Sequence, residues 1–214
     1  MPRSRVTRLS ASTITAVMLA ACGTEVPRAV DKMSFFVTSV QAGDGGNIGG
    51  LDAADAHCAK LAAAVGSPKR QWRAYLSAAD SPGRPHVHAR DRIGVGPWVN
   101  ADGVQVAASV IDLHGAGNHL GQATSLDEHG RQIGFFHDML TGSNSDGTLA
   151  EGDTTCRNWT STQGHAIVGH PNKGGTYGGE RATSWNSAHE TRGCSLPALK
   201  AMGGAGLFYC FALD

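Results

Sequence analysis

Hydrophobic residues recur at helical spacing in one early segment of the chain, residues 51–65. The apolar positions that share a face there are Ala54, Cys58, Leu61, Ala62 and Val65. Gly66 and Pro68 follow directly, and these residue types are typical of a helix end. The pattern therefore predicts a helix over residues 51–65, with Cys58 on the side that faces the core.

Short runs of apolar and β-branched residues predict strands over much of the remaining chain. The predicted strand segments are residues 33–40, 72–77, 98–100, 104–106, 156–161, 165–170 and 207–213. The predicted turns and glycine loops are residues 43–50, 101–103, 128–130, 172–179 and 203–206. The expected fold class is α+β in one domain, residues 33–214, with one or two helices packed on short, mostly antiparallel strands with long loops.

Composition narrows the class of protein further. Glycine supplies 29 of the 214 residues, and aromatic residues make up only 6%. Such a chain favours many turns around a modest core. The 18 basic and 18 acidic residues balance. Because no basic surplus is available to hold a phosphate backbone, we do not expect a nucleic-acid partner.

The first residues have the pattern of an export signal. The basic residues at its start are Arg3, Arg5 and Arg8. An apolar run follows over residues 14–21 and is too short to span a bilayer as a helix. The run ends in Leu-Ala-Ala-Cys, with the cysteine at Cys22, which resembles the lipobox of bacterial lipoproteins.

This resemblance implies that residues 1–21 are a lipoprotein signal peptide and that residues 22–32 form a tether beginning at the acylated, palmitate-bearing Cys22. Gly23 follows the cysteine in place of an aspartate, which implies an outer-membrane destination by the usual sorting rule. The expected location is the bacterial cell envelope, with the membrane reached through the lipid anchor only. The alternative is an ordinary signal peptide cut elsewhere, with Cys22 left as a free thiol.

The remaining cysteines predict a disulfide framework. They are Cys58, Cys156, Cys194 and Cys210. An even number in an exported chain predicts two disulfides, and the residues alone leave three pairings open. No C-x-x-C or close Cys/His spacing occurs, so zinc is not expected on these cysteines.

The order of these features resembles the C-type-lectin-like fold, whose closing segment matches residues 184–187, Cys194 and residues 207–211. A closer resemblance is to the endostatin domain of collagens XV and XVIII. The blocks that carry it are residues 50–58, 72–77, 90–92, 99–100 with Val104, 141–147 and 155–160.

The resemblance has implications for both disulfides and function. In the C-type-lectin-like fold a cysteine on the first helix pairs with one on the last strand, and two middle cysteines pair across the loop region. The pairing implied here is Cys58 with Cys210 and Cys156 with Cys194. The stretch from residue 33 to residue 214 also resembles bacterial secreted lipoproteins described as lectins. The implied partner is a glycan or an extracellular or envelope protein.

A calcium-dependent sugar site of the lectin type is not expected. Sugar-binding members of the fold use a Trp-Asn-Asp run and a Glu-Pro-Asn type of block to hold the ion. Residues 185–187 are Trp-Asn-Ser, and residues 171–172 are Pro-Asn preceded by a histidine. Two carboxylates are therefore missing from a site in which calcium needs six to eight oxygen ligands.

The candidate ligand-binding residues are Trp159, Trp185 and Asn186. They lie in the long-loop region between residues 141 and 194, where we expect any binding face. Exposed tryptophan rings would stack on sugar rings. In the alternative interpretation Trp185 is a packed core residue and Asn186 a turn former.

The polar loop over residues 142–153 offers a separate calcium prediction. Asn144, Asp146 and Asp153 occupy places that resemble the later positions of an EF-hand loop. Its first position would be Gly142, which has no ligand atom. The alternative is an Asx-rich turn. Calcium at these three residues is the one cofactor prediction, and otherwise we expect none.

The chain has ten histidines, which could form a zinc site, but their spacing in the sequence does not favour one. The pairs considered are His86 with His88, His114 with His119, and His137 with Asp138. No H-E-x-x-H run occurs, and no third ligand stands at a fitting spacing. Surface and loop histidines are therefore expected.

No nucleophile stands out, because the chain has no G-x-S-x-G run and the paired cysteines would be oxidised. The resemblance to lectin-like lipoproteins implies a non-catalytic binding module at the cell surface, and with no nucleophile evident we do not expect an enzyme. Two alternatives remain: a metal-assisted hydrolase of envelope polymers that uses some of the histidines, and a structural envelope protein without a small ligand.

Overall fold

A computed structural model describes Met1, residues 29–173 and residues 183–213. The predicted signal peptide, Cys22 and most of the predicted tether lie outside the described residues, as does much of the predicted glycine loop over residues 172–179. Within the described part of the chain, no helix combines the length and the apolar character needed to cross a membrane.

Short strands and short helices are interspersed along the chain, and α2 is the longest helix. In chain order they are α1 (Ala29–Lys32), β1 (Phe35–Val37), α2 (Leu51–Ala64), β2 (Trp72–Ala74), a 3-10 turn (Ala89–Asp91), β3 (Trp98–Val99), β4 (Gln105–Ala107), α3 (Val110–Leu113), β5 (Asp138–Leu140), α4 (Cys156–Trp159), β6 (Ile167–Gly169), β7 (His189–Glu190), α5 (Leu196–Lys200), β8 (Gly204–Leu207) and β9 (Tyr209–Ala212). The fold class is therefore α+β, which confirms the prediction at that level.

Among the described residues, the strands form three small sheets. The first has the order β1-β9-β2, the second is the β3-β4 hairpin, and the third has the order β7-β6-β5-β8. All pairs are antiparallel except β5 with β8. The strand β9 lies in the middle of the first sheet, and all four of its residues are buried.

The main helix α2 covers the first sheet, as its apolar pattern predicted. Its buried residues are Ala54, Cys58, Leu61 and Ala62. Cys58 forms a disulfide with Cys210 of β9. The second disulfide joins Cys156 to Cys194. Both disulfides therefore have the pairing that the resemblance implied.

Two segments differ from their predictions. Residues 156–161 were predicted as a strand, but α4 is a left-handed turn in which the φ angles of Cys156, Arg157, Asn158 and Trp159 are 51°, 56°, 57° and 65°. This conformation is rare for non-glycine residues and needs strong outside support. The backbone oxygen of Trp159 supplies part of that support by accepting three backbone N–H groups, from Ile48, Gly49 and Gly50.

The predicted glycine loop over residues 203–206 is the second difference, because residues 204–207 form β8. Glycine is required there by a close backbone approach. A Cβ atom on Gly206 would lie 3.0 Å from the backbone oxygen of Gly45, and the φ angle of Gly206 is 71°.

Asp55 joins α2 to the strand that it covers. Its Oδ1 accepts a hydrogen bond from the backbone N–H of Ala74 at 2.8 Å, and its carboxylate accepts two from Arg92 at 2.9 and 2.7 Å. We expect Asp55→Ala to lower the free energy of unfolding by about 3 kcal/mol, because it leaves the largely buried guanidinium of Arg92 without its carboxylate. Urea unfolding measures this. Asp52→Ala, on the exposed face of the same helix, is the control, and equal losses would contradict the role of Asp55.

Candidate functional site

A cleft of about 520 Å³ opens where the start of α2 meets two loops. One wall is the segment over residues 78–87, which folds back on itself through paired backbone hydrogen bonds between Ala78 and Val87. The opposite wall is the left-handed turn α4. The cleft is therefore built from segments distant in sequence, none of which supplies it alone.

The left-handed turn is held firmly against the facing wall. The side-chain amide of Asn158 accepts a hydrogen bond from the backbone N–H of Ala79 at 2.7 Å and donates one to the backbone oxygen of Ala79 at 3.0 Å. The Cys156–Cys194 disulfide fixes the beginning of the turn. Arg157, between these two ties, is exposed and lines the cleft.

The cleft combines positive charge with apolar surface. Arg84 and Arg157 supply the positive charge, and the carboxylate of Asp52 lies 3.5 Å from the guanidinium of Arg84. The apolar lining includes Leu51, two prolines and Val87. Asp52 is the one ionisable acid in this lining, which holds no histidine or cysteine. Such a surface can bind a ligand with a negative group but does not supply an acid–base pair.

The tryptophans predicted to bind a sugar are core residues, which corrects the stacking role expected of them. Trp159 and Trp185 are buried, and the indole N–H of Trp159 donates to the backbone oxygen of Ser77 at 2.8 Å. Trp185 packs against Tyr75 and Tyr209. A ring enclosed on both faces has no surface for a sugar.

Asn186 is also buried, and its side-chain amide forms hydrogen bonds within the protein. Its amide nitrogen donates to the hydroxyl of Tyr75 at 2.9 Å and to the backbone oxygens of Asn144 and Ser145 at 3.1 and 3.2 Å. These contacts tie the predicted calcium loop to the core. Asn186 therefore positions the loop instead of meeting a ligand.

The three residues of the calcium prediction make the contacts of tight turns. Asn144 donates to Thr148 and Leu149, and Asp146 accepts from the backbone and the hydroxyl of Thr148. Asp153 accepts from the backbone N–H of Arg157 at 3.1 Å. Calcium binding at Asn144, Asp146 and Asp153 stays a prediction, and these contacts fit the alternative of an Asx-rich turn.

A second candidate site lies at one end of the four-stranded sheet and consists of His137, Asp138, His170 and His189, called the Asp138 centre below. Met139 pairs with Gly169 in the β5-β6 register, so Asp138 and His170 come next on the two strands. His189 pairs with Val168 in the neighbouring ladder. Because side chains alternate along a strand, His170 and His189 lie on the same face of the sheet.

The imidazoles of the centre converge on one buried carboxylate. The Nε2 atoms of His137 and His170 lie 3.6 and 3.2 Å from Asp138 Oδ1, and the Nε2 atom of His189 lies 3.6 Å from Asp138 Oδ2. The side chain of Asp138 is 2% exposed, while those of His137 and His189 are 31% and 32% exposed. The carboxylate thus forms the floor of the centre, and two imidazoles form its rim.

The charges of the centre are coupled. Burial raises the pKa of Asp138, but the contacts with His170 and His189 outweigh burial, so this pKa lies below its usual range. The same carboxylate raises the pKa of His189 above its usual value. The centre therefore favours a negative carboxylate surrounded by groups that carry or can hold positive charge.

The Asp138 centre was not predicted from the sequence, although His137 stands beside Asp138 in the chain. The other two histidines come from separate strands, and only the strand register places them beside Asp138. The other two pairs weighed from the sequence, His86 with His88 and His114 with His119, lie outside the centre. His114 forms a hydrogen bond with the hydroxyl of Tyr75, and the rings of His86 and His88 contact each other.

Comparison with known proteins adds no assignment to either site. No protein-family model matches the chain, and no curated protein sequence matches it.

Proposed function

We propose that the protein is a non-catalytic, lectin-like binding module with a C-type-lectin-like, endostatin-like fold. The two disulfides support this fold, because they join the main helix to the last strand and close the loop region as the resemblance implies. The proposed location is the bacterial cell envelope, with anchoring to the outer membrane through Cys22.

The cleft beside α2 is the proposed ligand site, and its lining is the observation that carries the function. Arg84 and Arg157 are exposed cations on opposite walls, next to apolar surface from Leu51 and Val87. Guanidinium groups form charge-assisted hydrogen bonds with carboxylates and phosphates. The proposed ligand is therefore an acidic oligosaccharide of the envelope or the extracellular surroundings.

We expect Arg157→Ala to weaken binding of an acidic oligosaccharide about 10-fold, because one charge-assisted hydrogen bond contributes about 1.5 kcal/mol. The measurement uses the full, oxidised chain on an array of acidic and neutral glycans and envelope polymers. Titration of the best ligand then compares wild type with the variant.

Lys60→Ala is the matched control, since it also removes one exposed positive charge, from α2, but lies outside the cleft lining. It should bind like the wild type. Absence of any glycan binding by the wild type would overturn the carbohydrate proposal and direct the search to a protein ligand. Equal losses for the two variants would show that only overall charge matters.

A metal-assisted hydrolase of envelope polymers is the second candidate function, and the Asp138 centre is the observation that favours it. Imidazole and carboxylate groups can hold a metal ion that activates water. The cleft does not share a lining residue with that centre, however. We therefore keep binding as the proposal, and metal-dependent release of fragments from an envelope polymer would overturn it.

A further inference from the structure

We propose that the Asp138 centre is a site for one divalent transition-metal ion, with Zn²⁺ as the ion of best fit. The ligands are the Nε2 atoms of His137, His170 and His189 and the carboxylate of Asp138. This metal site is independent of the glycan cleft. It adds a metal to a domain for which the one cofactor prediction from the sequence was calcium in another loop.

The buried carboxylate of the centre needs a positive partner. Asp138 is almost fully enclosed, yet within the described part of the chain neither of its oxygens has a hydrogen-bond partner of acceptable geometry. Its neighbours at ion-pair distance are the three imidazoles. A buried carboxylate needs compensation by hydrogen bonds, charge or a metal. A cation between the carboxylate and the imidazoles provides it.

Hydrogen bonds on the far side of two rings orient their nitrogens toward the centre. His137 Nδ1 lies 2.8 Å from the backbone oxygen of Phe135, and His189 Nδ1 lies 3.1 Å from that of Glu190. A carbonyl oxygen only accepts, so each Nδ1 carries the proton. In the neutral rings the Nε2 lone pairs then point inward. This outer-shell arrangement is the one that orients metal-binding histidines.

Protonation of the histidine rings would be the other way to compensate the negative charge of the Asp138 carboxylate. One imidazolium neutralises one carboxylate, but the centre holds three rings around a single acid. The ring of His170 lies 5.0 Å from that of His137 and 5.1 Å from that of His189, measured between centroids. Charging all three would leave like charges packed together in a half-buried site. One divalent ion replaces these protons and bonds to every ring.

The spacing of the ligand atoms also fits a small tetrahedral ion. Zinc–nitrogen and zinc–oxygen bonds of about 2.0–2.1 Å in a tetrahedron place the ligand atoms about 3.3 Å apart. The three observed separations between Nε2 and carboxylate oxygen atoms are 3.2, 3.6 and 3.6 Å. The ligand atoms of His137, Asp138 and His170 all lie within 4.8 Å of one another. The Nε2 atom of His189 lies near the other carboxylate oxygen, Oδ2, and outside this group of three, so the His189 side chain would move toward the ion to complete the tetrahedron.

The ligand types select the class of metal. Three imidazole nitrogens and one carboxylate suit Zn²⁺, and Cu²⁺ and Ni²⁺ also bind such sets. Ca²⁺ and Mg²⁺ prefer oxygen ligands in larger number. The centre should therefore distinguish zinc from calcium, opposite to a lectin-type calcium site.

The bound ion would join three segments of the four-stranded sheet. Asp138 begins β5, His170 follows β6, and His189 begins β7. The backbone N–H groups of His137 and Asp138 both donate to the backbone oxygen of Gly203, at 2.9 and 3.2 Å. The floor of the centre is thus already held by the residue that precedes β8. A metal ion would extend this tie to the edge strand β7.

The test is a zinc titration of the full, oxidised chain against a chromophoric chelator, with equilibrium dialysis for stoichiometry. We expect one Zn²⁺ per chain and no competition by a large excess of Ca²⁺ or Mg²⁺. His189→Ala removes a partly exposed ligand with little risk to folding, and it should weaken zinc binding at least about 100-fold. Asp138→Asn keeps the shape of the buried side chain and should weaken it similarly.

His86→Ala is the control, because His86 is an exposed histidine that also pairs with an aspartate, Asp80. It should bind zinc like the wild type. Less than half an equivalent of zinc on the wild type, or equal weakening in His86→Ala and His189→Ala, would overturn the proposal. Neither readout depends on a glycan, so failure of the metal site and failure of the binding cleft are distinguishable.

Discussion

Removal of the Cys58–Cys210 disulfide is expected to lower the free energy of unfolding by about 5 kcal/mol in the chain-entropy treatment. The two cysteines are 152 residues apart in sequence, and their bond ties α2 to the central strand β9. Without it, the unfolded chain gains the freedom of a very long loop. Because domains of this size have about 5–15 kcal/mol of stability, the variant should be at or near the limit of folding.

Urea unfolding of the double variant Cys58→Ala with Cys210→Ala measures the effect. The matched comparison is Cys156→Ala with Cys194→Ala, whose cysteines are 38 residues apart. The same treatment gives about 4 kcal/mol for this shorter loop. A larger loss from the shorter loop would contradict loop entropy as the main source of stabilisation and would give more weight to the left-handed turn that starts at Cys156.

Trp159→Ala should lower the free energy of unfolding by about 4 kcal/mol, since it empties the volume of a fully buried indole. Trp159 is 0% exposed, and its ring nitrogen donates to Ser77. The substitution also loosens the turn in which the backbone oxygen of Trp159 accepts three N–H groups from the residues just before α2. We therefore expect ligand binding in the cleft to weaken together with stability.

Trp159→Phe is the companion variant, because it keeps an aromatic ring in the core but removes the indole N–H. Its expected cost is about 2 kcal/mol, partly from the unsatisfied oxygen of Ser77. Both variants are measured by urea unfolding and by titration of the glycan ligand. If Trp159→Ala kept wild-type stability while losing the ligand, Trp159 would be a contact residue after all, contrary to its burial.

The parts of the fold that follow from local pattern could be predicted. Helical spacing of apolar residues predicted α2 and the inward direction of Cys58, and the structure has this helix over Leu51–Ala64. The apolar runs near both ends predicted β1 and β9, which pair with each other. In each case the burial of one face determines the element, so the signal is present in the sequence itself.

The left-handed turn could not be predicted, because its cause is not local. The residues from Cys156 to Trp159 include no glycine that would mark a positive φ angle. Their conformation depends on a distant cysteine and on hydrogen bonds to Ala79 and to the residues just before α2. The cleft lined by this turn could not be predicted from the sequence for the same reason.

The Asp138 centre could not be predicted from the sequence either, because its residues meet only through the strand register. Spacing rules find metal ligands that share a helix or a loop, but here each histidine stands next to a different strand. Neither β5 nor β7 was predicted, so the register that brings Asp138 and His189 together was unknown. For the two tryptophans the error was the reverse. Their residue type suggested a sugar-binding surface, but both rings are packed in the core.

The most direct test of the metal centre is X-ray diffraction from crystals of the zinc-loaded protein, recorded above and below the zinc absorption edge. We predict one anomalous peak, with Nε2 of His137, His170 and His189 and one oxygen of Asp138 at about 2.0–2.1 Å. An ordered Asp138 centre without a peak, or a peak at the loop of Asn144 and Asp146 instead, would contradict the assignment.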